Sequence, residues 1–130
     1  MSDRSFLMVA GAPTPVAPFS HAVEVDGWVF LTGQMPTWPD DDTKALPEGV
    51  EAQTVRVMEN LILVLNGVGL DLSHVVQARV YLARFKEDYA SMNSVYASYF
   101  PADRRPARTC IGVTALARDA LVEIDFVAKR

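Results

Sequence analysis

The sequence predicts an α/β chain of the mixed α+β kind, a β-sheet with two helices packed on one face, and three observations carry that expectation. Two segments repeat apolar residues every third or fourth position, as helices do, four others alternate apolar with polar residues, as half-buried strands do, and a fifth returns from a hairpin turn. The order of these segments is β-β-α-β-α-β-β, and two helices cannot cover both faces of such a sheet. With 130 residues the chain reads as one domain, 1–130, long enough to bury a core and short for two.

The first two strands form a predicted hairpin. His21 to Asp26 alternates, Asp26-Gly27 is a two-residue turn signal, and Trp28-Val29-Phe30-Leu31-Thr32-Gly33 returns. Met35 to Glu48 is rich in proline and aspartate and reads as a solvated loop, either a lid or a spacer. From Val50 the period changes: Val55, Met58, Leu61, Ile62, Leu65 and Val68 mark a helix that Gly67 and Gly69 end. Val76, Ala78, Val80 and Leu82 then alternate with Gln77, Arg79 and Tyr81, a strand. Phe85, Tyr89, Met92, Tyr96 and Tyr99 or Phe100 return to helical spacing until Pro101. Two last strands, Ala107 to Ala115 and Leu121 to Ala128, are joined by a turn around Ala117-Arg118-Asp119.

Alternation also predicts which side chains share a face. Val122, Ile124, Phe126 and Ala128 should meet the helices, turning Glu123, Asp125 and Val127 away. In the preceding strand Ile111 and Val113 are expected to meet the helices, which places Arg108 and Cys110 with Glu123 on the helix-free face. That face is apolar enough to predict burial against other subunits.

Composition narrows the function. Twelve basic against sixteen acidic residues give a net charge of −4, which disfavours binding to nucleic acid, whose affinity comes largely from neutralised phosphates. Arg104, Arg105 and Arg108 nevertheless cluster, and small anions suit such a cluster. His21, His74 and Cys110 are too few soft ligands for a structural zinc site within one chain. The lone cysteine fits a reducing compartment, and no apolar run approaches the roughly 18 residues of a membrane span. Phe6 to Ala10 is too short for a signal-peptide core, so a cytoplasmic protein without membrane partners is expected.

Arg108 is the leading candidate for function. A guanidinium stays charged at any working pH and offers a carboxylate two parallel hydrogen bonds. The alternative is a structural ion pair with Glu123 or Asp125. Glu123 is a candidate proton handler or an interfacial salt-bridge partner. Cys110 is a candidate nucleophile, or a packed thiol whose backbone is useful, since no histidine is placed to activate it. Ser20-His21 resembles half a hydrolase, but adjacent strand residues face opposite ways, so a capped or exposed histidine is the expectation. Trp28 reads as hairpin packing, and Trp38 either shields a cleft or covers the surface.

Six fragments in order resemble the RidA/YjgF reactive-imine deaminases over nearly the whole chain. They are Ala17-Pro18-Phe19-Ser20, Phe30-Leu31-Thr32-Gly33-Gln34-Met35-Pro36, Gln53 with Glu59-Asn60-Leu61, Met92-Asn93-Ser94-Val95-Tyr96, Pro106-Ala107-Arg108-Thr109-Cys110 and Val122-Glu123-Ile124. The resemblance implies a chorismate-mutase-like fold, a homotrimer with clefts between neighbouring subunits, and hydrolysis of 2-imino or enamine acids to 2-oxo acids and ammonia without metal or cofactor. Such imines are unstable products of pyridoxal-phosphate enzymes, and some relatives act instead on aminoacrylates. Residue by residue, it implies that Arg108 holds the substrate carboxylate, that the main chain at Cys110 helps hold substrate and water, and that Glu123 is linked to that water. Thr32 and Gly33 lie in the matched hydroxyl-glycine segment, and Asn93 matches a polar position near the cleft. Phe19 departs from the family, in which many members carry tyrosine, and marks a divergent subfamily. A trimeric 2-oxo acid or carboxylate binding module without turnover is the alternative. Relatives have also been described as ribonucleases, a reading that the acidic charge and the lack of paired catalytic histidines disfavour here.

Overall fold

The computed structural model describes residues 3–130. Strands β1 (Ser5–Leu7), β2 (Ala22–Val25) and β3 (Trp28–Gln34) precede helix α1 (Gly49–Gly67), and β4 (Val75–Leu82) precedes α2 (Phe85–Ala97). Strands β5 (Ala107–Gly112) and β6 (Val122–Lys129) close the chain. All six strands form one mixed sheet in the order β1-β2-β3-β6-β4-β5, in which only β4 and β5 run parallel. A parallel pair needs a crossover, and α2 supplies it.

Local chemistry accounts for several boundaries. Asp26 and Gly27 both take positive φ, 54° and 79°, the conformation that closes a two-residue hairpin. The signal read from the sequence is therefore the turn that forms. Asp71 caps the short 3-10 turn Leu72–His74 by accepting from the Ser73 amide at 2.9 Å, and His74 Nδ1 accepts from the Asp71 amide in return.

The core lies between one sheet face and the two helices. Val122, Ile124, Phe126 and Ala128 of β6 are buried against Val57, Met58, Leu61, Val64 and Leu65 of α1 and Met92 and Tyr96 of α2. The buried stripe of α1 is rotated from the expected one, for Val57 and Val64 are enclosed whereas Val55 is exposed. A polar residue anchors this helix to the acidic loop. Asn60 donates to the carbonyls of Met35, at 3.0 Å, and Thr37, at 2.8 Å, and accepts from Arg56 Nε at 3.1 Å. The 35–48 loop is tied at its far end as well, where Arg118 donates to the carbonyls of Asp42 and Lys44.

Three expectations are corrected. Strand β1 is absent from the sequence reading because three residues are too few to show a period, and it forms by pairing Phe6 with Val23 at the sheet edge. The last two strands do not pair with one another. Strand β6 inserts between β3 and β4, and β5 takes the outer edge beside β4. Finally, β5 has the opposite facing to the one expected. Arg108 and Cys110 register with Ala78 and Val80, which are buried beneath the helices, while Ile111 is 45% exposed on the other side. An edge strand covered by little of α2 leaves its apolar residues free to face either way, so Ile111 misleads.

Asn60→Ala should destabilise the fold by about 2–4 kcal/mol, because it strands two buried carbonyls. Urea unfolding followed by circular dichroism measures this, and a change below about 0.5 kcal/mol, typical of a surface substitution, would show that the loop does not depend on Asn60.

Candidate functional site

On the helix side of the sheet edge, β5 and α2 enclose a cleft of about 270 Å³ lined by Asn93, Tyr96, Ala97, Arg105, Pro106 and Arg108. The cleft exists because α2 stops at Ala97 and the chain returns through Pro101 and Pro106 before β5 begins. The Arg108 guanidinium lies 5.0 Å from the centre of the Tyr96 ring and 5.9 Å from that of Tyr89, and donates to the Tyr89 hydroxyl at 3.4 Å. Cation–π contacts hold an arginine in place without neutralising it. Among the described residues no carboxylate lies within ion-pair distance of Arg108. The structural ion pair weighed from the sequence does not form, since Asp125 instead accepts from Arg79 Nε at 2.9 Å and from the Tyr81 hydroxyl at 3.2 Å.

Two buried polar atoms beside Arg108 have no hydrogen-bond partner: the Asn93 side-chain oxygen and the Tyr96 hydroxyl. Leaving such groups unpaired typically costs about 1–3 kcal/mol each, so a cleft that carries two of them is suited to a polar ligand. Tyr96 reads as core from its helical spacing, and 5% exposure agrees. Its hydroxyl, buried without a partner among the described residues, is a feature that periodicity cannot reveal.

Glu123 lies on the opposite face of the sheet. Its neighbours in register are Tyr81 and, one strand further, Ile111. On the other flank a bulge between Leu31 and Gln34 brings Gly33 against it, so close that a Cβ at position 33 would collide with the carboxylate. Any larger residue there would push the carboxylate out of this position. Burial raises the Glu123 pKa above the ordinary carboxylate value, and the nearby Asp125 charge adds to the effect.

Phe19, Thr32 and Gly33 belong to this second region. Phe19 and Thr32 line an apolar hollow with Phe6, Val23 and Phe30, and Phe19 and Gly33 meet again over the Pro13–Val16 segment. His21 holds that segment: its Nδ1 accepts from the Val9 amide at 2.8 Å and its other ring nitrogen bonds the Pro13 carbonyl at 2.7 Å. The histidine is therefore capped and buried, not exposed. Trp38 sits elsewhere, its ring beside Lys44 and Arg56 over α1 and its Nε1 donating to the Ala45 carbonyl.

The expected site residues thus form two groups in one chain. Arg108, Cys110 and Asn93 lie on the helix side, and Glu123, Gly33, Thr32 and Phe19 on the other. A reaction that uses both groups needs more than one copy.

The sequence matches the family described as Endoribonuclease L-PSP over residues 9–130. A RutC family protein of Pyrococcus abyssi is 38% identical over 126 residues, covering 96% of each chain. The 3-aminoacrylate deaminase RutC of Acinetobacter baylyi is 35% identical, covering 96% of this chain and 97% of its own. The crystal structure of RidA from an Antarctic Psychrobacter superposes with a TM-score of 0.89 at 31% identity, over 97% of this chain and 99% of that one. No helix among the described residues is long and apolar enough to cross a membrane.

Cys110 sits between the two uses considered for it. Burial raises its thiol pKa, and the Arg108 charge only partly offsets that. At neutral pH the thiol is therefore protonated and a poor nucleophile. Alkylation by iodoacetamide at neutral pH should be slower than that of a free thiol and should accelerate above pH 9. Reaction faster than glutathione at pH 7 would restore the nucleophile.

Proposed function

Because the chain belongs to the RidA/YjgF family, which includes the RutC proteins, we propose that it hydrolyses 2-imino and enamine acids to 2-oxo acids and ammonia. The observation that carries this reading is the unpaired Arg108 guanidinium in a cleft with two unsatisfied polar atoms. The Acinetobacter baylyi relative named as a 3-aminoacrylate deaminase supports the same substrate class. The small imines of butanoate and propanoate, or aminoacrylate, fit the cleft volume.

In this mechanism Arg108 binds the substrate carboxylate through its fork, and the Tyr96 hydroxyl donates a further hydrogen bond to it. The Asn93 oxygen accepts from the imine N–H and fixes the C=N plane. Water attacks the imine carbon while the Glu123 carboxylate of a neighbouring copy takes its proton. The nitrogen gains that proton as the C=N pair becomes its lone pair, the same carboxylate then carries the hydroxyl proton of the carbinolamine to nitrogen, and the carbonyl forms as ammonia leaves with the C–N electron pair. The Cys110 main chain helps to hold substrate and water.

Assembly completes the site. The helix-free face presents Phe6, Val23, Phe30 and Val127 as one row across four strands, a surface suited to contact with other copies. A homotrimer closed by such contacts sets the Arg108 region of each copy against the Phe19, Thr32, Gly33 and Glu123 region of the next, making three clefts. Phe19 favours a second reading, a trimer that binds 2-oxo acids without turnover, since an aromatic wall without a hydroxyl can hold a ligand without orienting water.

Imino acids generated by an amino-acid oxidase and trapped by semicarbazide separate the two readings. Arg108→Ala should lower the rate at least about tenfold, since charge-assisted bonds contribute about 1.5–3 kcal/mol each, and Arg108→Lys should not rescue it. A wild-type protein that leaves trapping unchanged at catalytic concentration is a binder. Refolding Arg108→Ala together with Glu123→Gln copies should raise activity above that of either impaired parent, to about one quarter of wild type, because random trimers pair intact halves at that frequency. No recovery would mean that each cleft draws on one chain alone.

The raised Glu123 pKa sets the pH dependence. The base acts as the carboxylate, so kcat/KM should fall as pH drops through a value above the ordinary carboxylate range. Glu123→Gln should abolish that limb, and a limb that persists in the variant would assign it to another group.

A further inference from the structure

We propose that the cleft prefers 2-imino acids bearing a second carboxylate, with Arg105 as the residue that selects them. This rests on the deaminase reading of the Arg108 site and names its substrate class. Arg105 and Arg108 line the same cleft, three residues apart on either side of Pro106, whose ring limits the backbone between them. Three residues of chain span at most roughly 10 Å, and two arginine side chains reach easily across that distance. One guanidinium suffices for the carboxylate that every 2-imino acid carries. The second has no such use with a neutral substrate.

Three further observations fit a dianionic ligand. Among the described residues no carboxylate pairs with Arg105, although the chain as a whole is acidic. The two unpartnered polar atoms line the same walls, and the buried Tyr96 hydroxyl can donate to either carboxylate. The Tyr96 pKa is raised by burial, and the charges of both Arg108 and Arg105 act against that rise, which places both cations near one hydroxyl. A cleft of about 270 Å³ holds a four- or five-carbon diacid. The reaction class that supplies such a substrate is the oxidation or elimination chemistry of amino dicarboxylic acids, and the products are 2-oxo diacids.

The test compares imines made enzymatically from aspartate or glutamate with those made from neutral amino acids, using semicarbazide trapping on the full-length protein. Wild type should favour the diacid in kcat/KM, and Arg105→Gln should lower the diacid value about tenfold or more through KM and the neutral imine by much less, so that the ratio between the two substrates falls. Arg105 is exposed in the chain, so the variant should fold as wild type does. Equal loss on both substrates, or no loss on the diacid, overturns the selectivity. If wild type turns over no imine, the deaminase reading fails, and calorimetry with 2-oxoglutarate and 2-oxobutanoate then decides the proposal. Tighter diacid binding that Arg105→Gln removes supports it, and equal or absent binding overturns it.

Discussion

Strand β6 lies between β3 and β4, and the two faces of that one strand organise the rest of the molecule. Its even positions, Val122, Ile124, Phe126 and Ala128, are buried and hold both helices against the sheet. Its odd positions carry Glu123 and Asp125 to the face that no helix covers. A slip of one residue in its pairing would send two carboxylates into the core, so the hydrophobic set fixes the register and thereby the position of the acid. Function is placed here by packing.

The two carboxylates of β6 have been given different surroundings. Asp125 accepts from Arg79 and Tyr81 and is tied into a surface ion pair. Glu123, two residues earlier and on the same face, faces the Gly33 backbone and lies partly enclosed, so burial dominates its titration. Two acids given such different partners can take different roles, one held in a structural ion pair and one left without such a partner among the described residues. The bulge in β3 is what creates the difference, for a regular strand would set a side chain where Gly33 now leaves room.

Much of this was legible in the sequence, and the failures have physical causes. The hairpin at Asp26-Gly27, both helices and the inward set of β6 follow from turn chemistry and from periods that burial enforces on long segments. The facing of β5 did not follow, because an edge strand has little packed against it and Ile111 can be exposed where the rule expects a core residue. The pairing of the last two strands was misjudged for a related reason: proximity in sequence favours a hairpin, whereas β4 offered β5 a parallel partner through α2. Motif resemblance named Arg108, Glu123, Gly33 and Asn93. It could not show that they divide between two faces, nor that Tyr96 turns a hydroxyl into the cleft.

That division has an electrostatic consequence. Had Arg108 and Glu123 met within one chain at about 4 Å, their attraction at an effective dielectric of about 20 would be roughly 4 kcal/mol, which is about three pKa units. Such a pair would hold Glu123 ionised far below its ordinary range and occupy the fork of Arg108, leaving neither a carboxylate with a raised pKa nor an empty anion site. On opposite faces of the sheet they do not quench one another. Among the described residues Arg108 meets the aromatic rings of Tyr89 and Tyr96 and the neutral Tyr89 hydroxyl, which hold a cation without cancelling its charge, and Glu123 keeps a titration governed by burial. The cleft therefore holds a cation that awaits an anion, and the sheet's other face holds an acid whose titration no cation among the described residues controls.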